Sequence, residues 1–114
     1  MGLARLIRSR ADDLHVPGLC DVEVASALRK LVLGGVMSPE RAAEALGDYL
    51  RIPVTRHGHE LLLARIFSLR DNFTAYDASY LALAEALGAQ FLTLDESLRS
   101  GVRALLDVEL VLSS

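Results

Sequence analysis

Apolar positions recur along this chain at helical spacing in some stretches and collapse into short unbroken runs in others. Leu3, Leu6 and Ile7 lie on one face of a helix predicted over Leu3 to Ala11. Asp12-Asp13 marks a turn, and Leu14-His15-Val16-Pro17 reads as a short strand that Pro17 ends. Asp21 starts a helix to about Leu33, with the stripe Val22, Ala25, Leu28 and Val32, and Gly34-Gly35 stops it. Ser38-Pro39 opens another, Ser as cap and Pro at the first helical position. Ala42, Leu46, Tyr49 and Leu50 form its inner face. Pro53-Val54-Thr55 is a second strand, and His57-Gly58-His59 a turn. A helix from about Leu62 to Arg70 follows, then a bend at Asp71-Asn72-Phe73. Thr74 caps the next helix, with Asp77 at the capping-box spacing and Tyr80, Leu83, Ala84 and Leu87 on its inner face. Gly88 is placed to close that helix in the left-handed conformation. Phe91 to Leu94 is an apolar strand with Asp95 at its exit. A short helix near Glu96 to Leu106, interrupted at Gly101, leads to a last strand at Val108 to Leu112.

Strands joined through helices predict a parallel sheet with helices on both faces. Open sheets of this class bind ligands beyond the carboxyl ends of their strands, where Asp95 falls. Local structure offers each acid a second role. Asp77 completes a capping box, Asp95 caps the helix after it, and Glu23 suits the positive end of a helix dipole. Both kinds of role stand open on this pattern alone.

At 114 residues the chain has the length of one domain, and it can bury about two-thirds of its unfolded surface. With 52% hydrophobic and only 5% aromatic residues, its core is Leu, Val and Ala. No apolar run approaches the ~20 residues of a membrane span, so a soluble cytoplasmic protein is expected. The lone Cys20 excludes an internal disulfide and reads as a small buried hydrophobe. His15 reads as structural, and His57 and His59 lack a third ligand type nearby. A net charge of −3 argues against a broadly basic nucleic-acid surface. It leaves room for a local one, because eleven of the twelve basic residues are arginine, which grips phosphate in a bidentate fork. Gly34-Gly35 is a loop and not a phosphate cradle, since no strand precedes it and no lysine follows.

Three stretches together resemble the PIN domain, in the VapC branch of toxin–antitoxin systems. Leu14-His15-Val16-Pro17 followed by Asp21-Val22-Glu23-Val24-Ala25 resembles the family's second strand and its glutamate-bearing helix. Thr74-Ala75-Tyr76-Asp77 resembles the helix start that carries an acid, and Leu92-Thr93-Leu94-Asp95 the acid at a strand's end. The resemblance covers essentially the whole chain. It implies a three-layer α/β/α fold with a parallel sheet in the order 3-2-1-4-5. It also implies an acidic cluster of Glu23, Asp77 and Asp95 binding Mg²⁺ or Mn²⁺, and hydrolysis of RNA. The chemistry is coherent: a divalent ion on hard oxygen ligands lowers the pKa of bound water and clamps the phosphate. Arginines beside the acids would hold the phosphates, with Arg56 and Arg99 as candidates by loop position. The implied partner is a small antitoxin protein.

In one respect the chain departs from that pattern. Family members open with a central strand carrying an aspartate, and a helix is predicted here instead. A sheet lacking that strand exposes two edges between Leu14–Pro17 and Phe91–Leu94. The expectation is therefore a rearranged fold, a homodimer or a strand-exchanged oligomer, with weak metal binding. A catalytically inactive PIN-like interaction module is the alternative function.

Overall fold

The computed structural model describes residues 5–93 and 95–112, the side chain of Leu112 excepted. Arg5–Arg8 form β1 and Leu14–Pro17 form β2. The segment between them is shorter than the roughly dozen residues that a parallel crossover needs. The pair is accordingly an antiparallel hairpin, with Ile7 opposite His15 and Arg8 opposite Leu14. Its turn is closed by Ser9 N–H on the Asp13 carbonyl (2.9 Å) and Asp12 N–H on the Ser9 carbonyl (3.0 Å). Asp12 takes φ 63°, a left-handed conformation that aspartate adopts more readily than most residues.

This hairpin corrects two expectations: the opening helix is not formed over Arg5–Arg8, and the central place of the sheet is filled, by a strand that carries no aspartate. The i, i+3, i+4 spacing of Leu3, Leu6 and Ile7 was too short a sample to separate helix from strand. Two neighbouring strands with free edges decide the matter by pairing with whatever segment lies between them. β4 (Gln90–Thr93) pairs antiparallel with β1 along its length, from Arg5 opposite Thr93 to Arg8 opposite Gln90. β3 (Val54–His57) runs parallel to β2, and β5 (Glu109–Leu112) parallel to β4. The strand order is β3-β2-β1-β4-β5, the order implied by the resemblance. The sheet is mixed and not wholly parallel, because β1 runs against both its neighbours.

The described chain divides into two compact units, one of residues Gly18–Pro53 and one joining residues up to Pro17 with those from Val54. The first holds α1 (Leu19–Leu33) and α2 (Pro39–Arg51). α1 buries Cys20, Val24 and Leu28, so its inner face is turned away from the predicted stripe and leaves Val22 71% exposed. Ser38 caps α2 as expected, its Oγ accepting from Arg41 N–H at 3.1 Å. Ala42 and Tyr49 are buried, while Leu46 and Leu50 face outward. The Tyr49 hydroxyl ties the two helices, donating to Asp21 Oδ1 at 2.6 Å beside Cys20 Sγ at 3.5 Å. Burial, and then the bond to Asp21, hold that phenol well above its ordinary pKa.

The second unit is built on α4 (Ala75–Leu87), which packs on β1, β2 and β4. Its residues Ala78 to Ala84 are all buried, as in a helix surrounded by its own unit. Tyr80 and Phe91 meet with ring centroids 6.0 Å apart, and Ile7 lies fully buried on the same sheet face. Gly88 ends α4 at φ 61° and ψ 36°, as its position predicted, and Ala89 N–H returns to the Ala84 carbonyl. A single turn at Glu60–Leu62 leads into α3 (Leu63–Ser68). Arg65 on α3 holds Glu85 on α4 in a two-pronged bond of 2.8 and 3.0 Å. A turn at Glu96–Leu98 leads into α5 (Arg99–Leu105), which runs through Gly101 without a break. Gly101 is there for space: a Cβ would stand 2.8 Å from Phe73 Cζ.

Candidate active site

The site grows from the first turn of α4. Thr74 Oγ1 accepts from Asp77 N–H at 3.1 Å and its hydroxyl lies 3.3 Å from Asp77 Oδ2. The cap thereby fixes the Asp77 carboxylate and leaves Oδ1 directed elsewhere. Oδ1 accepts from Arg5 Nη1 at 2.6 Å. Arg5 opens β1 opposite Thr93, on the sheet face that α4 covers. Its guanidinium carbon also stands 4.4 Å from the centre of the Tyr80 ring, a cation–π contact. Both members of the ion pair are only 22% exposed, so water screens them incompletely.

Asp95 follows β4 at the same end of the sheet. Its N–H donates to Oγ1 of buried Thr93 at 3.1 Å. Its Oδ1 accepts from Ser97 N–H (3.0 Å) and from the Ser97 hydroxyl (2.5 Å), capping the turn that follows. Leu94, expected to end the strand, lies outside the described residues. Asp77, Arg5, Thr93 and Asp95 are thus gathered at the carboxyl end of β4 through three successive contacts. Glu23 belongs to the other unit, where it is half-buried on the first turns of α1. Arg56 on β3 and Arg99 at the start of α5 are both exposed.

The donors are of the right chemistry for Mg²⁺ or Mn²⁺, but their arrangement does not fit a bound ion. Asp77 Oδ1 is engaged by a guanidinium and Asp95 Oδ1 by Ser97. Among the described residues no group of three His, Cys, Asp or Glu side chains is placed to hold a metal.

Two features escaped the sequence reading. Arg5 was assigned to a helix, which hid its place beside β4. His15 reads as structural in the sequence, and the partner the sequence does not reveal is His57, whose Nε2 stands 2.9 Å from His15 Nδ1 across β2 and β3. Desolvation, then the neighbouring His15, lower the pKa of His57. The polar cleft of about 360 Å³ lined by Arg8, Arg10, Asp12, Gln90 and Glu109 lies at the other end of the sheet, away from Asp77 and Asp95.

A mixed five-stranded sheet in this order, with acids beyond β4 and on the helix that covers it, defines an α/β domain with a carboxylate-lined edge. Residues 2–101 match the family model described as PIN domain. Ribonuclease VapC9 of Mycobacterium tuberculosis is 45% identical over 85 residues, 75% of this chain and 67% of that protein. Ribonuclease VapC12 of the same species is 33% identical over 110 residues, 96% of this chain and 85% of that protein. Ribonuclease VapC3 is 41% identical over 95 residues, 83% of this chain and 67% of that protein. The chain belongs to the PIN-domain family, in its VapC branch.

Proposed function

We propose that this protein is a VapC-type endoribonuclease that cleaves RNA phosphodiesters and is neutralised by a cognate antitoxin protein. One observation carries the reading. A chain a third to nearly half identical to proteins named VapC ribonucleases brings Asp77 and Asp95 to one end of its sheet. A single PIN-like domain over residues 1–114 is the proposed organisation, supported by the family match over residues 2–101. Glu23, Asp77 and Asp95 are the proposed catalytic acids, with Mg²⁺ or Mn²⁺ as cofactor. Exposed Arg56 and Arg99 are the proposed phosphate contacts. The cytoplasm is the proposed location, and a homodimer the proposed assembly; with β1 paired to both β2 and β4, the open edges that would favour strand exchange are closed. Among the described residues no helix is long and apolar enough to cross a membrane.

The engagement of Asp77 by Arg5 favours a second reading, a non-cleaving interaction module of the same fold. An RNA cleavage assay with Mn²⁺ or a chelator separates them. The ribonuclease reading expects Mn²⁺-dependent cutting that Asp95→Asn reduces at least about 100-fold, the scale on which such groups act. No cutting by the wild type across RNA substrates, or cutting indifferent to Asp95→Asn, supports the module.

A further inference from the structure

We infer that His15 and His57 form a two-imidazole site for a late first-row divalent ion, Zn²⁺ or Ni²⁺, that clips the edge strand β3 to β2. The geometry follows from the register. Between the parallel strands β2 and β3, His15 stands opposite Thr55, and Pro17 opposite His57. Side chains two residues apart on a strand share a face, so both histidines project from one side of the sheet, on a diagonal between neighbouring strands. Both are half-buried there. His15 Nδ1 faces His57 Nε2 at 2.9 Å, with the ring centroids 5.1 Å apart. Among the described residues neither ring has another hydrogen-bond partner. A histidine held in place for structure commonly donates to a carbonyl or a carboxylate. These two have only each other.

The facing nitrogens share one proton as they stand. When the donor ring carries that proton on its outer nitrogen instead, both lone pairs point inward. The outer nitrogens are unbonded among the described residues, so no hydrogen bond there opposes the switch. Desolvation first, and the His15 ring second, hold His57 below the ordinary histidine pKa, which keeps its lone pair available at neutral pH. Zinc–nitrogen bonds of about 2.0–2.1 Å at a tetrahedral angle set two ligand nitrogens about 3.4 Å apart, so the pair opens by roughly half an ångström to admit the ion. Imidazole suits Zn²⁺ and Ni²⁺ and is a poor ligand for hard Mg²⁺. Water completes the coordination, since among the described residues no third His, Cys, Asp or Glu is placed to join the pair. The ion ties the last residue of β3, which the sheet pairs on one side only, to its neighbour. It therefore stabilises the folded chain by mass action. The inference depends neither on Asp77 and Asp95 nor on the protein cutting RNA.

The test is a calorimetric titration of Zn²⁺ into the wild type, His15→Gln, His57→Gln and His59→Gln at pH 7.5. One ion per chain is expected in the wild type. Each of His15→Gln and His57→Gln should weaken it at least about tenfold, the least that loss of even a supporting residue costs a metal site. His59→Gln should bind as the wild type does. Zn²⁺ should also raise the melting temperature of the wild type and of His59→Gln, but not of the other two. Equal affinity in all four chains, or no binding by the wild type, overturns the inference. So does a loss in His59→Gln with His15→Gln unaffected, which assigns the ion to the His57-Gly58-His59 turn. If a variant fails to fold, NMR of the wild-type imidazole nitrogens decides. His15 and His57 should shift together at one equivalent of Zn²⁺ and stay unmoved in Mg²⁺. Rings that ignore Zn²⁺, or that respond equally to Mg²⁺, overturn the inference as well.

Discussion

Replacing Asp77 with asparagine should destabilise this protein in the absence of any metal. The acidic cluster that the resemblance implies would do the contrary, because three uncompensated carboxylates relax when one charge is removed. In the structure Asp77 is compensated. Its carboxylate accepts a charge-assisted bond from Arg5 at 2.6 Å, with both side chains 22% exposed. Charge-assisted hydrogen bonds contribute about 1.5–3 kcal/mol. Removing one member of a fully buried pair costs about 3–5 kcal/mol, because the other is left without its partner. Partial exposure places this pair below that range, at about 2 kcal/mol. Loss of negative charge from the first turn of α4 adds roughly 0.3–1 kcal/mol. The cap itself survives, since Thr74 Oγ1 accepts from a backbone N–H that asparagine keeps. The total is about 2–3 kcal/mol, read by urea denaturation in a chelator. The double-mutant cycle with Arg5→Gln isolates the pair, and a coupling of about 1–2 kcal/mol is expected. An Asp77→Asn variant as stable as the wild type, or a coupling below about 0.3 kcal/mol, would refute the ion pair as a structural element.

Gly88 and Gly101 should both lose stability to the same methyl group, for different reasons. At Gly88 no atom stands within 4 Å of a built Cβ, and the cost is the left-handed backbone alone. Thermal melts should show Gly88→Ala losing about 1 kcal/mol and Gly88→Val more, with Gly88→Asn the mildest. At Gly101 the backbone is helical and alanine gains about 1 kcal/mol of propensity, against about 1–3 kcal/mol for overpacking Phe73. A net loss near 1 kcal/mol is expected, and a Gly101→Ala variant more stable than wild type contradicts the packing. His57 has a lowered pKa in the folded state, so the unfolded chain takes up its proton first on acidification. Its contribution is intact above about pH 6.5 and declines as pH falls from there toward the lower folded value. The wild type minus His57→Gln stability difference should shrink over that window, and a difference flat from pH 8 to 5 contradicts the assignment.

Local signals in the sequence determined what local physics controls. Ser38-Pro39 and Thr74 fixed helix starts through caps that need only three or four residues. Gly88 fixed a helix end through a conformation that other residues resist. Asp95 was placed at a strand exit by the apolar run before it. The ordered acids pointed to a family and, through it, to the strand order. Tertiary structure decided β1. Four residues with an ambiguous period take their conformation from the two strand edges they satisfy, and a turn too short for a crossover fixes their direction. That direction in turn decided the charge at the site, because it carried Arg5, not the other end of the strand, to Asp77. The pairing of His15 with His57 was hidden for the same reason: adjacency across strands depends on register, and register is set by the whole sheet.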